Sequence, residues 1–212
     1  MPHDHGHHHH HIGTAEGDRR VGWAIAVNLA LTLVQIVGGI VSGSLALVAD
    51  AIHNLSDAVA LIIAFGARRI ARRPATADMT FGYARAETVA ALINYTTLIL
   101  LSLYLASEAL WRFYEPQPVQ GWIIVIIAAV ALMVDAVTAL LTWAMAKDSL
   151  NIRAAFLHNL ADALGSVAVI VAGSLILLFG WNLADPIITL LIAAYILWTA
   201  WQGLSEVVGI LM

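Results

Sequence analysis

No cysteine occurs among the 212 residues, so neither a disulfide nor a thiolate ligand is available. Charge is also scarce: 11% of residues are charged, while 61% are hydrophobic. That balance argues against a soluble globular core and for a membrane protein. A cleavable leader is not expected. The first twenty residues are polar and His-rich, and the first apolar run is long enough to span a bilayer itself. The formal charge of −4 hides a strong asymmetry, and no nucleic-acid partner is expected.

What the chain does have is long apolar runs. A span needs roughly 20 mostly apolar residues, and six candidates occur, at about Val21–Val41, Leu45–Gly66, Thr88–Leu110, Trp122–Ala146, Ala154–Phe179 and Pro186–Val208. The expected fold is therefore all-α, a polytopic membrane protein of six transmembrane helices over residues 21–212. The second and fifth runs are the least apolar, but turns such as Ser42-Gly43-Ser44 mark their ends. Trp23, Trp111, Tyr114, Trp122 and Trp181 sit near span ends, as interfacial aromatics do. Residues 1–20 form a polar segment expected to be disordered.

Six spans put both termini on one side. Arg19, Arg20, Arg68, Arg69, Arg72, Arg73, Arg85, Lys147 and Arg153 all fall on that side, and only Arg112 falls opposite. By the positive-inside rule both termini are cytoplasmic. Arg68, Arg69, Arg72 and Arg73 read as a helical continuation of the second span, snorkelling to anionic lipid headgroups. The chain stops at Met212, shortly past the sixth span, and no soluble domain is expected beyond it.

Two of these spans carry the same phrase. His53-Asn54-Leu55-Ser56-Asp57-Ala58 returns as His158-Asn159-Leu160-Ala161-Asp162-Ala163. A His and an Asp four apart on a helix differ by about 40° in azimuth, so both point the same way. Ionisable groups are costly inside a membrane. One such pair could serve as a helix–helix hydrogen bond, but a structural Asp has no need to recur with a His one turn earlier in a second helix. Two such helices face to face offer two imidazoles and two carboxylates, a nitrogen and oxygen set suited to tetrahedral Zn²⁺. His53, Asp57, His158 and Asp162 are the expected metal ligands.

Other polar residues surround these four. Asp50, three residues before His53, shares its face and is a candidate acceptor for the imidazole N–H or a proton relay. Asn54 and Asn159 are turned about 100° from the histidines, which favours interhelical hydrogen bonding over ligation. Asn28 and Gln35 share a face of the first span. Asp135 in the fourth span either lines an ion path or pairs with Thr138 or Thr142. At the N-terminus, His3, His5, His7, His8, His9, His10 and His11 read either as a metal-collecting segment, the favoured reading, or as a purification tag.

These residues bring out a resemblance. Asp50-Ala51-Ile52-His53-Asn54-Leu55-Ser56-Asp57, His158-Asn159-Leu160-Ala161-Asp162, Phe81-Gly82-Tyr83-Ala84-Arg85-Ala86-Glu87 and Asp185-Pro186 look like the transmembrane domain of a cation diffusion facilitator of the zinc-transporting branch. The resemblance covers about residues 21–208. It implies a six-helix protomer, usually dimeric, that exports divalent metal from the cytoplasm in exchange for protons, and it places the transport site on the same four residues. Most members carry a cytoplasmic metal-binding domain after the sixth span, which this chain is expected to lack. Some bind metal in the loop between the second and third spans, but that loop has no His here.

The reading is thus a Zn²⁺/H⁺ antiporter working by alternating access, with Zn²⁺ as transported substrate rather than cofactor and Cd²⁺ or Co²⁺ as alternatives. It is a homodimer in a bacterial inner membrane, with protons and lipids as its other partners. An intramembrane metalloenzyme is a poorer reading, because four protein ligands close a tetrahedral site and no HExxH element is present. A non-transporting sensor would want an effector domain.

Overall fold

The computed structural model describes residues 15–71, 85–145 and 150–212. They form six helices: α1 Ala15–Ser42, α2 Leu45–Ala71, α3 Ala86–Tyr114, α4 Gly121–Met145, α5 Leu150–Phe179 and α6 Ala184–Leu211. The shortest has 25 residues and the longest 30, or roughly 38 to 45 Å at 1.5 Å per residue, enough to cross a ~30 Å hydrocarbon core. No strand occurs among the described residues. The chain is an all-α, multi-pass integral membrane protein.

Each predicted span lies within one helix, apart from the last residue of the fourth, which falls just outside the described residues. The helices run past the spans at several ends. α1 begins at Ala15, so residues 15–20, expected to be disordered, are helical instead. Adding residues to an existing helix costs far less than nucleating one, so an apolar span carries its helix into the adjoining polar stretch. α2 continues through Arg68 and Arg69 to Ala71, as its expected helical extension requires.

Among the described residues, Thr88–Tyr114, Gly121–Leu140, Phe156–Phe179 and Ala184–Leu211 are long and apolar enough to cross a membrane on their own. The expected weakness of the fifth span is therefore not found: Phe156–Phe179 is long and apolar enough by itself despite carrying the motif. The apolar part of α1 in which side chains are described, Ala26–Ser42, is shorter.

Small residues set the packing. Helices in lipid gain little from apolar burial and associate where backbones approach closely. A Cβ at Gly203 would stand 2.3 Å from the Tyr95 ring, so α6 presses directly on α3 there. A Cβ at Gly173 would stand 2.9 Å from Ile124, which locks α5 to α4 in the same way. Ala109, Ala128, Ala172 and Ala200 fill the same seams and are buried. Leu33, Ile40, Leu100, Leu140, Leu178 and Phe179 point outward, as lipid-facing side chains do.

One end of the bundle is tied by polar groups. Gly43 takes a left-handed φ of 75°, which turns α1 into α2. Asp185, in the first turn of α6, is fully buried. It accepts the Ser44 hydroxyl at 2.5 Å and the amides of Leu45 at 2.9 Å and Ala46 at 3.3 Å. A residue of α6 thereby caps the unsatisfied N-terminus of α2, where a carboxylate is also favoured by the helix dipole.

Arg112 completes the clamp. Its Nη1 lies 3.7 Å from Asp185 Oδ2 and donates to the Gly43 carbonyl. The one basic residue on the far side of the predicted membrane is therefore held internally. Gln120 joins the α3–α4 connection to the same turn, its amide reaching the Ser42 carbonyl at 2.9 Å. This clamp fixes the height of α2 in the bundle, and with it the height of His53 and Asp57.

Candidate metal centre

The HxxxD pair of α2 faces the HxxxD pair of α5. His53 Nε2 lies 3.8 Å from Asp57 Oδ2 on its own helix and 3.3 Å from Asp162 Oδ1 across the seam. His158 Nε2 lies 3.5 Å from Asp162 Oδ2 and 3.2 Å from Asp57 Oδ2. Nitrogens and oxygens thus alternate around a closed ring, and the two imidazole centroids are 6.0 Å apart. Tetrahedral Zn²⁺ with ligand bonds of roughly 2.0–2.2 Å needs donor–donor edges of about 3.3–3.5 Å. Asp162 meets the two imidazoles with different oxygens, Oδ1 toward His53 and Oδ2 toward His158. The compact group, with donor atoms all within 4.8 Å of one another, comprises His53, Asp57 and Asp162, with His158 at its edge.

The donor atoms have no other use. His53 Nε2, Asp57 Oδ2 and Asp162 Oδ1 are buried without a hydrogen-bond partner. Ligand atoms of the same three residues lie within 4.8 Å of one another. Buried polar atoms in folded proteins are nearly always satisfied, and in a membrane-spanning segment the cost of leaving them bare is higher still. These three residues form a group that could hold a metal ion.

Exposure is graded across the ring. His53 and Asp162 side chains are 12% and 10% exposed, whereas Asp57 and His158 are 34% and 45% exposed. α2 runs from the clamped end toward the side of the N-terminus, and α5 runs the opposite way. Asp57 and His158 are therefore the pair nearer the N-terminal side. The more exposed pair thus stands on the N-terminal side of the ring and the more buried pair toward the clamp.

The clamp side of the ring is polar. Gln35 of α1 is fully buried and reaches α2 with both ends of its amide. Its Nε2 donates to Asp50 Oδ2 at 2.7 Å, and its Oε1 accepts from Asn54 Nδ2 at 3.3 Å. Asn54 makes the interhelical hydrogen bond that its azimuth predicts.

Of the two readings of Asp50, the hydrogen bonds bear on the acceptor for the imidazole N–H. The partner of its carboxylate is Gln35 of α1 rather than the His53 ring, because Gln35 fills the space between the helices one turn above the histidine. Asp50 Oδ1 also packs on α5, where a Cβ at Gly165 would stand 3.3 Å away. Asp135 of α4 accepts the Ser166 hydroxyl of α5 at 3.1 Å, one turn past Asp162. Asn159 is half-buried beside His158. The seven N-terminal histidines, with Arg72 and Arg73, lie outside the described residues.

Tyr195 of α6 escapes a reading by motif. Its ring meets the His53 imidazole edge-on, with centroids 5.7 Å apart and planes at 80°, and Trp198 lies behind it at 6.5 Å. No spacing signal in α6 marks it, since it belongs to no repeat. Ser56 of α2 and Asn94 of α3 also pair, the Asn94 amide donating at 3.2 Å, which ties α3 to the motif helix on its opposite face.

Known proteins resemble this chain over its whole described length. The cation efflux transmembrane domain profile matches residues 23–212. The zinc transporter ZitB of Escherichia coli (strain K12) is 40% identical over 213 residues, covering 100% of this chain and 68% of the relative. A cadmium, cobalt and zinc/H(+)-K(+) antiporter of Bacillus subtilis (strain 168) is 40% identical over 185 residues, 85% of this chain and 58% of its own. The metal cation efflux system protein CzcD of Cupriavidus metallidurans is 34% identical over 211 residues, 99% of this chain and 65% of its own. The chain spans 58% to 68% of the length of these three relatives.

Proposed function

The chain belongs to the cation efflux family, and on that premise we propose that it exports Zn²⁺ from the cytoplasm in exchange for protons, carrying the ion on His53, Asp57, His158 and Asp162. The observation that supports this most is the convergence of three buried, unpartnered donor atoms, one from an imidazole and two from carboxylates, on one point between α2 and α5. The relatives named for zinc, cadmium and cobalt support the choice of cargo. A site of two nitrogens and two oxygens suits these borderline ions better than Mg²⁺ or Ca²⁺, which prefer all-oxygen shells.

The exchange follows from the ligand chemistry. Zn²⁺ binds neutral imidazole and ionised carboxylate, so every proton taken up by the ring competes with the metal. With the basic-residue bias setting the N-terminal side in the cytoplasm, the more exposed ligands, Asp57 and His158, stand on the cytoplasmic side of the ring. Zn²⁺ enters there at high pH relative to the exterior. After the ring turns outward, protons at the lower external pH occupy the same groups and release the ion.

Charge balance favours two protons per metal. Two carboxylates are neutralised either by one Zn²⁺ or by two protons, so the loaded ring crosses the membrane uncharged in both directions. Exchange for one proton would move a net charge against roughly 2.3 kcal/mol per 100 mV. Each proton entering down one pH unit contributes about 1.4 kcal/mol.

The host membrane in this reading is a bacterial inner membrane, and the active form is a homodimer joined through its spans. Zn²⁺ uptake into sealed proteoliposomes, with internal pH followed at the same time, tests the proposal. Zn²⁺ movement coupled to opposite proton movement is expected. Metal movement with no pH change contradicts antiport, and no movement contradicts transport.

A further inference from the structure

We propose that Tyr195 on α6 is a positioning residue for the metal ring, holding the His53 imidazole edge-on so that Nε2 points at the carboxylates of Asp57 and Asp162. The inference rests on the four-ligand reading of the site and extends it to a third helix. α6 offers the ring neither an imidazole nor a carboxylate; its acidic residues, Asp185 and Glu206, stand near its two ends. Tyr195 is its point of contact.

The His53 ring is bracketed by two others. Tyr195 meets it at 5.7 Å and 80°, and the His158 imidazole stands at 6.0 Å and 69°. Edge-to-face contact favours one orientation of a ring over its alternatives by roughly 2- to 13-fold, because the positive edge of one ring faces the negative face of the other. An aliphatic side chain of the same bulk fills the space without that directional preference. Trp198, 6.5 Å behind, backs the tyrosine.

Orientation matters to His53 more than to a surface histidine. Its Nε2 is buried and unpartnered, so no hydrogen bond aims that atom. A misdirected imidazole would leave a three-ligand site with an incorrectly turned fourth donor, and metal affinity is sensitive to such support, at roughly 10- to 100-fold for a lost orienting partner.

The test uses Co²⁺ as probe on the full chain purified in detergent, reading its visible ligand-field bands, which report coordination geometry, together with the dissociation constant. Tyr195→Phe is expected to bind Co²⁺ within about twofold of wild type with the same bands. Tyr195→Leu is expected to weaken binding by roughly 2- to 13-fold and to alter the bands. Tyr195→Met gives the same comparison should the leucine variant not fold.

Unchanged affinity and bands in the folded aliphatic variant would overturn the proposal. So would loss of binding in Tyr195→Phe, which would assign the effect to the hydroxyl. His53→Ala separates the two levels of the argument. If it leaves the bands untouched, the four-ligand reading fails; if it abolishes them while Tyr195→Leu does not disturb them, only the role of Tyr195 fails.

Discussion

His53 Nε2 and Asp162 Oδ1 lie 3.3 Å apart on different helices, and both atoms are buried without a hydrogen-bond partner. A proton on the imidazole would make them an ion pair, and the proposed function has a metal ion take that place. In a membrane-spanning bundle the candidates for it are a metal ion and protons. The account of this protein turns on that pair and its counterpart, His158 and Asp57.

Removing either carboxylate should stop transport without unfolding the protein. Asp57→Ala and Asp162→Ala each take one charged ligand from the ring and leave the glycine and alanine seams that hold the helices intact. A loss of at least ~100-fold in Zn²⁺ flux is expected, above the effect of merely disturbing an orienting partner. Size-exclusion profiles and membrane insertion should match wild type. Flux at the wild-type level in either variant would remove that residue from the ring.

Gln35 should matter to stability before it matters to chemistry. Gln35→Leu leaves the buried Asp50 carboxylate without its 2.7 Å donor and Asn54 without its acceptor. Each stranded buried group costs about 1–3 kcal/mol. A lowered thermal midpoint in detergent is expected, partly recovered in Gln35→Leu/Asp50→Leu, where both partners become apolar. A double variant no more stable than the single one would show that the bridge carries no such energy.

The clamp at Asp185 makes a similar prediction at greater size. Asp185→Ala removes three acceptor contacts from the start of α2 and leaves Arg112 facing no carboxylate on α6. Breaking a buried charged pair by deleting one partner typically costs about 3–5 kcal/mol. The variant should unfold at markedly lower temperature, and Asp185→Ala/Arg112→Leu should recover part of the loss by removing the stranded charge. Equal melting of Asp185→Ala and wild type would contradict the clamp.

Much of this was legible in the sequence, for identifiable reasons. The repeated His-x-x-x-Asp phrase needs only helical periodicity to place both members on one face, and six apolar runs need only bilayer thickness. From these, six helices and the facing of His53 and Asp57 toward His158 and Asp162 follow.

What stayed hidden depends on distance in sequence. The partner of Asp50 is a side chain of α1, and the partner of Asp135 is a serine of α5, contacts that no local pattern encodes. Tyr195 meets His53 from a helix 142 positions later, and nothing in its neighbours sets it apart from a lipid-facing aromatic. The start of α1 at Ala15 was hidden for a different reason, since polar composition lowers apolar burial but does not end a helix already nucleated.

Selectivity and pH dependence should both change when one imidazole is replaced. An unperturbed imidazole titrates near pH 6.5. Falling pH therefore protonates the free ring and lowers metal affinity, and rising pH restores it. His53→Asp removes one imidazole and adds a third carboxylate. Clustered carboxylates resist joint ionisation, so the empty site should hold a proton more tightly. Discrimination against Mn²⁺ should weaken, because the site has become richer in oxygen. Zn²⁺ and Mn²⁺ fluxes compared across pH 6 to 8 check both effects, and an unchanged preference with an unchanged pH profile would exclude His53 as a ligand.

The most direct measurement pairs metal with proton in one vesicle. Wild-type protein and Asp162→Ala are reconstituted into sealed proteoliposomes carrying an internal Zn²⁺ indicator and an internal pH indicator, and external Zn²⁺ is added across an imposed pH gradient. The account predicts Zn²⁺ entry accompanied by alkalinisation of the lumen in the wild type, at about two protons per ion as charge balance favours, and neither signal in Asp162→Ala. Zn²⁺ entry of equal size in both proteins, or entry with no proton movement in the wild type, would contradict it.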